Sequence, residues 1–518
     1  MQVFAIGCDF DVIKNNIYLC PAGLAGVYQA WSAALFVLAP IFTFGFVLSL
    51  FKNLSEYIKY LFAYNKEMYV FSELNEKSLA LAGDIKINNK KVAIVFTDVF
   101  EENEEGTYEL IENAQKIGAV CFKKDIMVID FNKHSKKKSI SFFTIGNNET
   151  ENLNQTLKLI DNYRNRENTH IYVFSTKIES ELLLTSVNKG LIKVRRINEV
   201  QSLVNRLLYE QGNILFDSAK ETRDGRRKIS AIVVGMGNHG TEMVKALSWF
   251  GQMDGYKLEI NAFDKDSLAK EKFVAVAPEL MSCSYNGVEI EGEAQYLIEI
   301  HPGINVETTV FSQAISKITD ATYVFVALGN DDINIKTAVN LRMYFERMKI
   351  HPVVQAVVYN SQQKKALEGI ENYQKQKYDI EFIGDIESSY SENVIVHSEL
   401  EDEALKRHLK WGNEEEFWTF EYNYRSSMAS AIHMKARIDC GIQCADKSEE
   451  ELNEEERKVI ESLEHRRWNA YMRAEGYVYS GSKEKSSRND LAKMHNNLVD
   501  YSFLSKDDKL KDSRIGTN

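Results

Sequence analysis

Short continuous apolar runs alternate with longer amphipathic stretches along most of this chain. MYVFSEL (Met68 to Leu74), KVAIVFTDVF (Lys91 to Phe100), SISFFTIG (Ser139 to Gly146) and HIYVFST (His170 to Thr176) are separated by segments of helical period, such as Glu151 to Tyr163. Strands alternating with helices of about 10–15 residues predict a parallel α/β sheet. Runs that are apolar at every position, not every second one, predict strands covered on both faces. KHSKKKS (Lys133 to Ser139) predicts a solvated loop between two strands, with contact to an anionic membrane surface as the alternative. SAKETRDGRRK (Ser218 to Lys228) interrupts the pattern and predicts a linker. The alternation then restarts, so a second sheet is expected.

One stretch breaks the globular pattern. From Asn15 to Phe51 there is no charged residue, and Val27 to Phe51 is almost wholly apolar. About 20 apolar residues cross a hydrocarbon core, so a helix over about 25–51 is long enough to span one. Tyr28 and Trp31 suit a headgroup layer, and Pro40 and Gly45 are tolerated in spanning helices. Lys52, Lys59 and Lys66 follow the run while Lys14 stands alone before it, which predicts a single pass of the inner (plasma) membrane with the bulk of the chain cytoplasmic.

The restart carries the chemistry. The run Ile229 to Val234 leads into Gly235-Met236-Gly237-Asn238-His239-Gly240 and then a helical pattern. That is G-x-G-x-x-G between a strand and a helix, the setting in which exposed amides and the helix dipole hold a phosphate. The next strand ends in Asp264, placed for a ribose hydroxyl, and TYVFVALGNDD brings Gly329, Asn330 and Asp331 to the same carboxyl edge. The first β–α turn, SELNEKS, has no such glycines, so the first module is expected to hold the shape without a phosphate cradle.

VVGMGNHGTEM, Asp264 and ALGNDDINIKTAVNLR together resemble the TrkA-N or RCK nucleotide-binding domains of potassium uptake and potassium channel systems. The resemblance covers Arg227 to about Ile383, and Tyr69 to about Leu208 only in architecture. It implies that the turn binds NAD(H) or another adenine nucleotide and that binding moves a membrane partner. No potassium filter sequence is present, so the chain is not itself a recognisable channel.

Near the C-terminus, LEHRRWNAYMRAEGYVYSG followed by HNNLVDYSFLSKDDKLKDS resembles the RyR module of ryanodine receptors and some bacterial proteins. In that likeness His465, Arg466, Arg467, Trp468, Tyr471, Tyr477 and His495 are the candidate ligand residues. Arg forks hold phosphates and an indole offers a stacking face. The turn proline that relatives carry is missing here, His495-Asn496-Asn497 standing in its place.

The predicted fold class is therefore α/β: two tandem Rossmann-like doubly wound parallel sheets, an N-terminal transmembrane helix and a small, mainly helical RyR-like domain. The boundaries are 1–52 for the membrane segment, 53–217 and 226–400 for the two sheets, 401–452 for a connecting helical segment and 453–518 for the last domain.

Composition narrows the function classes. The 518 residues carry a net charge of −12, which repels phosphate backbones and argues against direct nucleic-acid binding. Six cysteines in this length form no disulfide framework, and Cys440, Cys444 and His433 lack the fourth donor of a zinc site. Together these features point to a membrane-anchored sensor of a nucleotide or small signalling ligand, expected to be a homo-oligomer. It would regulate transport or serve as a stress or antiviral effector. A nicotinamide-dependent oxidoreductase and a protein-binding scaffold are the alternatives; for the first, no acid–base constellation stands out in the sequence.

Overall fold

The computed structural model describes residues 52–99, 105–285, 296–442 and 444–517, with scattered residues between 23 and 42. The predicted spanning run therefore lies largely outside the described residues. Among the described residues no helix is long and apolar enough to cross a membrane.

The first sheet contains β1 (Met68–Phe71), β2 (Ala93–Phe96), β3 (Val120–Cys121), β4 (Ile140–Thr144), β5 (Thr169–Phe174) and β6 (Lys193–Ile197). Its order is β3-β2-β1-β4-β5-β6, parallel throughout. Along β1 the side chains part by turns into two cores. Met68 and Val70 pack on one face, Tyr69 and Phe71 on the other. This is the burial on both faces that the unbroken apolar runs predict.

The second sheet repeats the plan. It contains β8 (Arg227–Val234), β9 (Tyr256–Phe263), β10 (Tyr296–His301), β11 (Tyr323–Val326), β12 (Val353–Val357) and β13 (Ile380–Ile383), in the order β10-β9-β8-β11-β12-β13. Each sheet reverses strand order once, between β1 and β4 and between β8 and β11. Such crevices are where doubly wound sheets take ligands. The expected linker is not open chain. β7 (Lys220–Glu221) pairs antiparallel with β8 around a turn at Gly225, whose φ of +79° suits glycine.

Helices exchange between the halves. Helix α1 (Glu199–Gln211), expected with the first sheet, places Leu203, Val204, Leu207 and Leu208 in the core of the second. In return Tyr390 and Ile395 pack with Phe174 and Ile197 of the first. The remaining chain forms one helical body. Helix α2 (Asn238–Phe250) follows the glycine turn, and α3 (Asp331–Met348) follows β11. Helices α4 (Glu399–His408), α5 (Glu421–Asp439), α6 (Glu454–Ala474) and α7 (Lys506–Gly516) complete the C-terminal region. Phe417, Ile432, Tyr471 and Met472 share a core with Val244 and Leu247 of α2. Side chains of residues 401–452 thus join this core, among them Ala404, Phe417 and Ile432.

Candidate functional site

Three glycines build the turn after β8, each for a different reason. Gly235 has φ +98°, and a Cβ there would sit 2.3 Å from the carbonyl oxygen of Ala327. A Cβ at Gly240 would lie 1.6 Å from the Gly235 carbonyl oxygen, so only glycine lets α2 pass this close to the strand. At Gly237 a Cβ would meet nothing within 4 Å. Gly237 is thus free of packing demands and faces open space.

Gly237 is also the N-cap of α2, and no side chain accepts from the helix's first amides. Asn75, Asn148, Asn198, Asn330 and Asn360 cap their helices with their own side chains, whereas the helices starting at Glu399 and Glu421 also have no side-chain cap. Uncapped amides at a helix N-terminus on the carboxyl edge of a doubly wound sheet suit an anion. Asp264 braces the turn from the next strand: one carboxylate oxygen accepts the Met236 N–H and the other the Asp266 N–H at 2.7 Å. Thr241 Oγ1 donates to the Met236 carbonyl at 3.0 Å and fixes the other side.

Across the crevice, Gly329 has φ +79° and a Cβ there would meet nothing within 4 Å. Asn330 and Asp331 are engaged by the fold. Asn330 accepts the Ile333 N–H at 3.1 Å as the cap of α3. Asp331 accepts the Tyr359 and Asn360 amides at 3.0 and 2.9 Å. Tyr359 in turn reaches His239 of the glycine turn, its hydroxyl 3.3 Å from Nε2. Burial pushes the His239 imidazole below its ordinary range. Burial, then the Asp331 and Glu199 charges, raise the Tyr359 phenol to about 12.

The corresponding point of the first sheet is filled by its own side chains. Asn75 caps its helix in a capping box with Ser78 and donates to the Ile145 carbonyl at 2.9 Å. A Cβ on Gly146 would approach Glu73 Oε2 to 2.7 Å. Asp98, on the same edge, has its carboxyl raised by burial and by Asp125, Glu73 and Glu151. Glu73, Asp98, Asp125 and Glu151 make this edge acidic.

A cavity of about 400 Å³ opens in the C-terminal body, between α5, α6, α7 and the segment around His495. Its walls include Trp411, Tyr422 and Trp468, with Arg407, Arg467, Arg488 and Lys511 among them. The Arg467 guanidinium is held by Glu464 through Nε (2.9 Å) and Nη2 (2.6 Å), while the buried Nη1 has no partner. Trp468 lies between His465 (centroids 5.9 Å) and His495 (4.9 Å). Lys511 Nζ lies 4.5 Å from the centroid of the Trp411 ring. An unused guanidinium donor beside indole rings suits an anionic ligand with a planar group.

No family model matches the chain, and no curated protein does. Among solved structures it is similar to a dipicolinate synthase subunit from Bacillus halodurans, at 11% identity and a TM-score of 0.21, over 64% of this chain and 92% of that one. Likeness at that level carries no functional argument. The Rossmann-like description rests on the strand order of the two sheets.

The residues singled out in the sequence separate cleanly in space. Gly235, Gly237, Asn238, His239, Gly240, Asp264 and Gly329 gather at the carboxyl edge of the second sheet, where its strand order reverses. His465, Arg467, Trp468 and His495 line the second cavity. Arg466, Tyr471 and Tyr477 do not. Arg466 faces Asp254 of the second sheet unit at 3.8 Å, Tyr471 packs on Trp249, and Tyr477 on Tyr422. Adjacent positions on a helix point about 100° apart, so HRRW cannot all face one ligand. Trp411, Tyr422, Arg488 and Lys511 escaped sequence reasoning; the aromatic density of WGNEEEFWTFEYNY signals the first two, and nothing marks Arg488 and Lys511. His433 Nε2 donates to the Gln252 carbonyl (2.8 Å), and among the described residues no cluster could hold a metal ion.

Proposed function

We propose that this chain is a non-catalytic sensor tethered to a bilayer, in which a nucleotide phosphate seats on the amides after Gly237 and an anionic small ligand enters the C-terminal cavity. The observation that carries this reading is that the two features share one helix pair. Helix α2, which begins at the glycine turn, packs along α6, which lines the cavity. Trp249 meets Tyr471 at 6.3 Å between centroids, and Lys245 lies 3.7 Å from Glu475. A shift of α2 on phosphate binding is therefore felt at the cavity wall, and the reverse.

The resemblances to TrkA-N and RyR modules favour the same division of labour, with NAD(H) or another adenine nucleotide as the first ligand. The charge-free run from Asn15 to Phe51 supplies the tether. Val27, Trp31, Ile41 and Phe42 expose large apolar side chains, which suits lipid. Spanning helices of several copies would assemble, and occupancy would bias their arrangement, as ion-transport regulation or a stress or antiviral response requires.

Calorimetric titration of the full chain in nanodiscs with ADP, ATP, NAD(H) and cyclic dinucleotides tests this. Heat with at least one of them, abolished by Gly237→Asp, is the expected result. No heat with any, or binding indifferent to that substitution, retires the proposal.

A further inference from the structure

The helix that leads into the first sheet, Lys52–Phe62, presents two unlike faces. Its inner side is anchored. Tyr60 packs on Phe122 and Phe131 (5.8 and 6.0 Å between centroids), and Glu56 accepts the Cys121 N–H of the edge strand β3 at 2.9 Å. Its outer side and the turn after it expose Leu61, Phe62 and Tyr64 at 69, 78 and 55%, and Tyr57, whose ring also packs on Phe122 at 5.1 Å, stays 41% exposed at the border of the two faces. Single exposed apolar residues are common, but three together on one helix end need a reason.

Lysines flank this strip. The ammonium of Lys124 lies 5.9 Å from the centroid of the Tyr57 ring. At the other end the loop of Lys133, Lys136 and Lys137, all exposed, is pinned to the helix terminus. Ser135 N donates to the Tyr64 carbonyl at 3.3 Å, and the Tyr64 ring meets His134 edge-on. Arg166 holds the loop from beneath, donating to the His134 and Ser135 carbonyls at 3.1 and 3.0 Å. Exposed Lys66 adds to the cluster; Lys59 is neutralised by Glu56, Asp130 is engaged in capping Asn132, and Glu67 is the opposing exposed acid. This locally basic surface sits on a chain of net charge −12.

We propose that this face rests on the headgroup layer of an anionic bilayer, with Leu61, Phe62 and Tyr64 at the acyl boundary and Lys66, Lys133, Lys136 and Lys137 against lipid phosphates. Two observations choose lipid over another acidic partner. The strip combines apolar side chains with cations at its ends, as an interfacial helix does. The chain also reaches this helix directly from the charge-free Asn15–Phe51 run, so the proposal rests on the tethered reading above. The first sheet would then lie against the membrane as well as being tied to it.

The test places p-benzoylphenylalanine at Phe62 of the full chain, reconstituted into phosphatidylcholine vesicles with or without phosphatidylglycerol. Illumination should give lipid adducts at position 62, at least about fivefold more with the anionic lipid, and the triple change Lys133→Glu, Lys136→Glu, Lys137→Glu should remove that gain. The same probe at Tyr373, which is 94% exposed on the second sheet unit, should give background only. Adducts at background, equal in both lipids, or formed with a co-purifying protein or nucleic acid would overturn the proposal. Flotation after a high-salt wash separates this from the tether: loss of the wild type from vesicles refutes the spanning run, whereas retention without adducts at position 62 refutes the docking face alone.

Discussion

At Gly237 an added side chain enters open space, while at Gly240 it strikes the Gly235 carbonyl. The two substitutions should therefore fail differently. Gly237→Asp keeps an accessible backbone conformation and sets a carboxylate where a phosphate would sit, so nucleotide heat is lost while the denaturation midpoint hardly moves. Gly240→Ala forces α2 off the strand and should cost about 1–3 kcal/mol in chemical denaturation. Equal effects on stability would contradict these roles. Histidines give a second test at this scale. Burial pushes His134 and His495 down to about 4 from 6.5, the Arg166 charge aiding the first and Arg488 the second. Between those values the unfolded chain binds more protons than the folded one. Their contribution is thus complete above about pH 6.5 and is lost as pH falls towards about 4. The melting temperature should decline over that window, and His495→Gln should flatten the decline. The glycine turn was legible in the sequence because each glycine answers a local backbone demand. The choice of Arg467 over Arg466 was not, since it depends on which face of α6 looks into the cavity.

Between elements, the contact of Tyr359 with His239 joins the end of β12 to the glycine turn across the end of β11. In doubly wound folds a dinucleotide extends across the crevice, so its second nucleoside would meet this bridge. A mononucleotide would not. ADP or ATP should bind more tightly than NAD(H) to the wild type, and Tyr359→Ala should narrow the ratio by raising the dinucleotide's affinity. Competitive titration of both ligands against both proteins decides it; an unchanged ratio rejects the bridge as a selector. The strands themselves were readable, because burial on both faces leaves an unbroken apolar run. The exchange of helices was not. The apolar stripe of α1 states that it must be covered but not which sheet covers it, and two-residue β7 is too short to leave a pattern.

At the scale of the whole molecule, charged side chains form a partly buried ladder from the first sheet unit through α5 and α6 to α2. Glu181 and Arg196 of the first sheet unit meet Glu421 and Arg425 of α5; Arg425 pairs with Glu475 at the end of α6, and Glu475 faces Lys245 of α2. The Arg425 and Lys245 charges hold the Glu475 carboxyl down at about 2, despite its burial. Glu475 thus sits where the helix of the glycine turn, the cavity helix and the link to the first sheet converge. Glu475→Gln takes away the partner that Arg425 and Lys245 share, leaving Arg425 with Glu181 and Lys245 with Glu242, and should destabilise the fold by about 1–3 kcal/mol. Replacing the trio together (Lys245→Met, Arg425→Met, Glu475→Leu) removes the under-paired cations but takes a partner from Glu181, which keeps Arg196 at 3.9 Å, and from Glu242, so it should restore part of that loss. Restored stability separates structure from transmission. In the wild type, ADP should slow hydrogen exchange along α6 and in β6, reflecting coupling of about 1–3 kcal/mol between sites. In the folded triple variant, ADP should still bind at the turn, but the protection in β6 should vanish. Protection that persists in β6 would mean that packing alone carries the signal and that the ladder serves only to hold the units together.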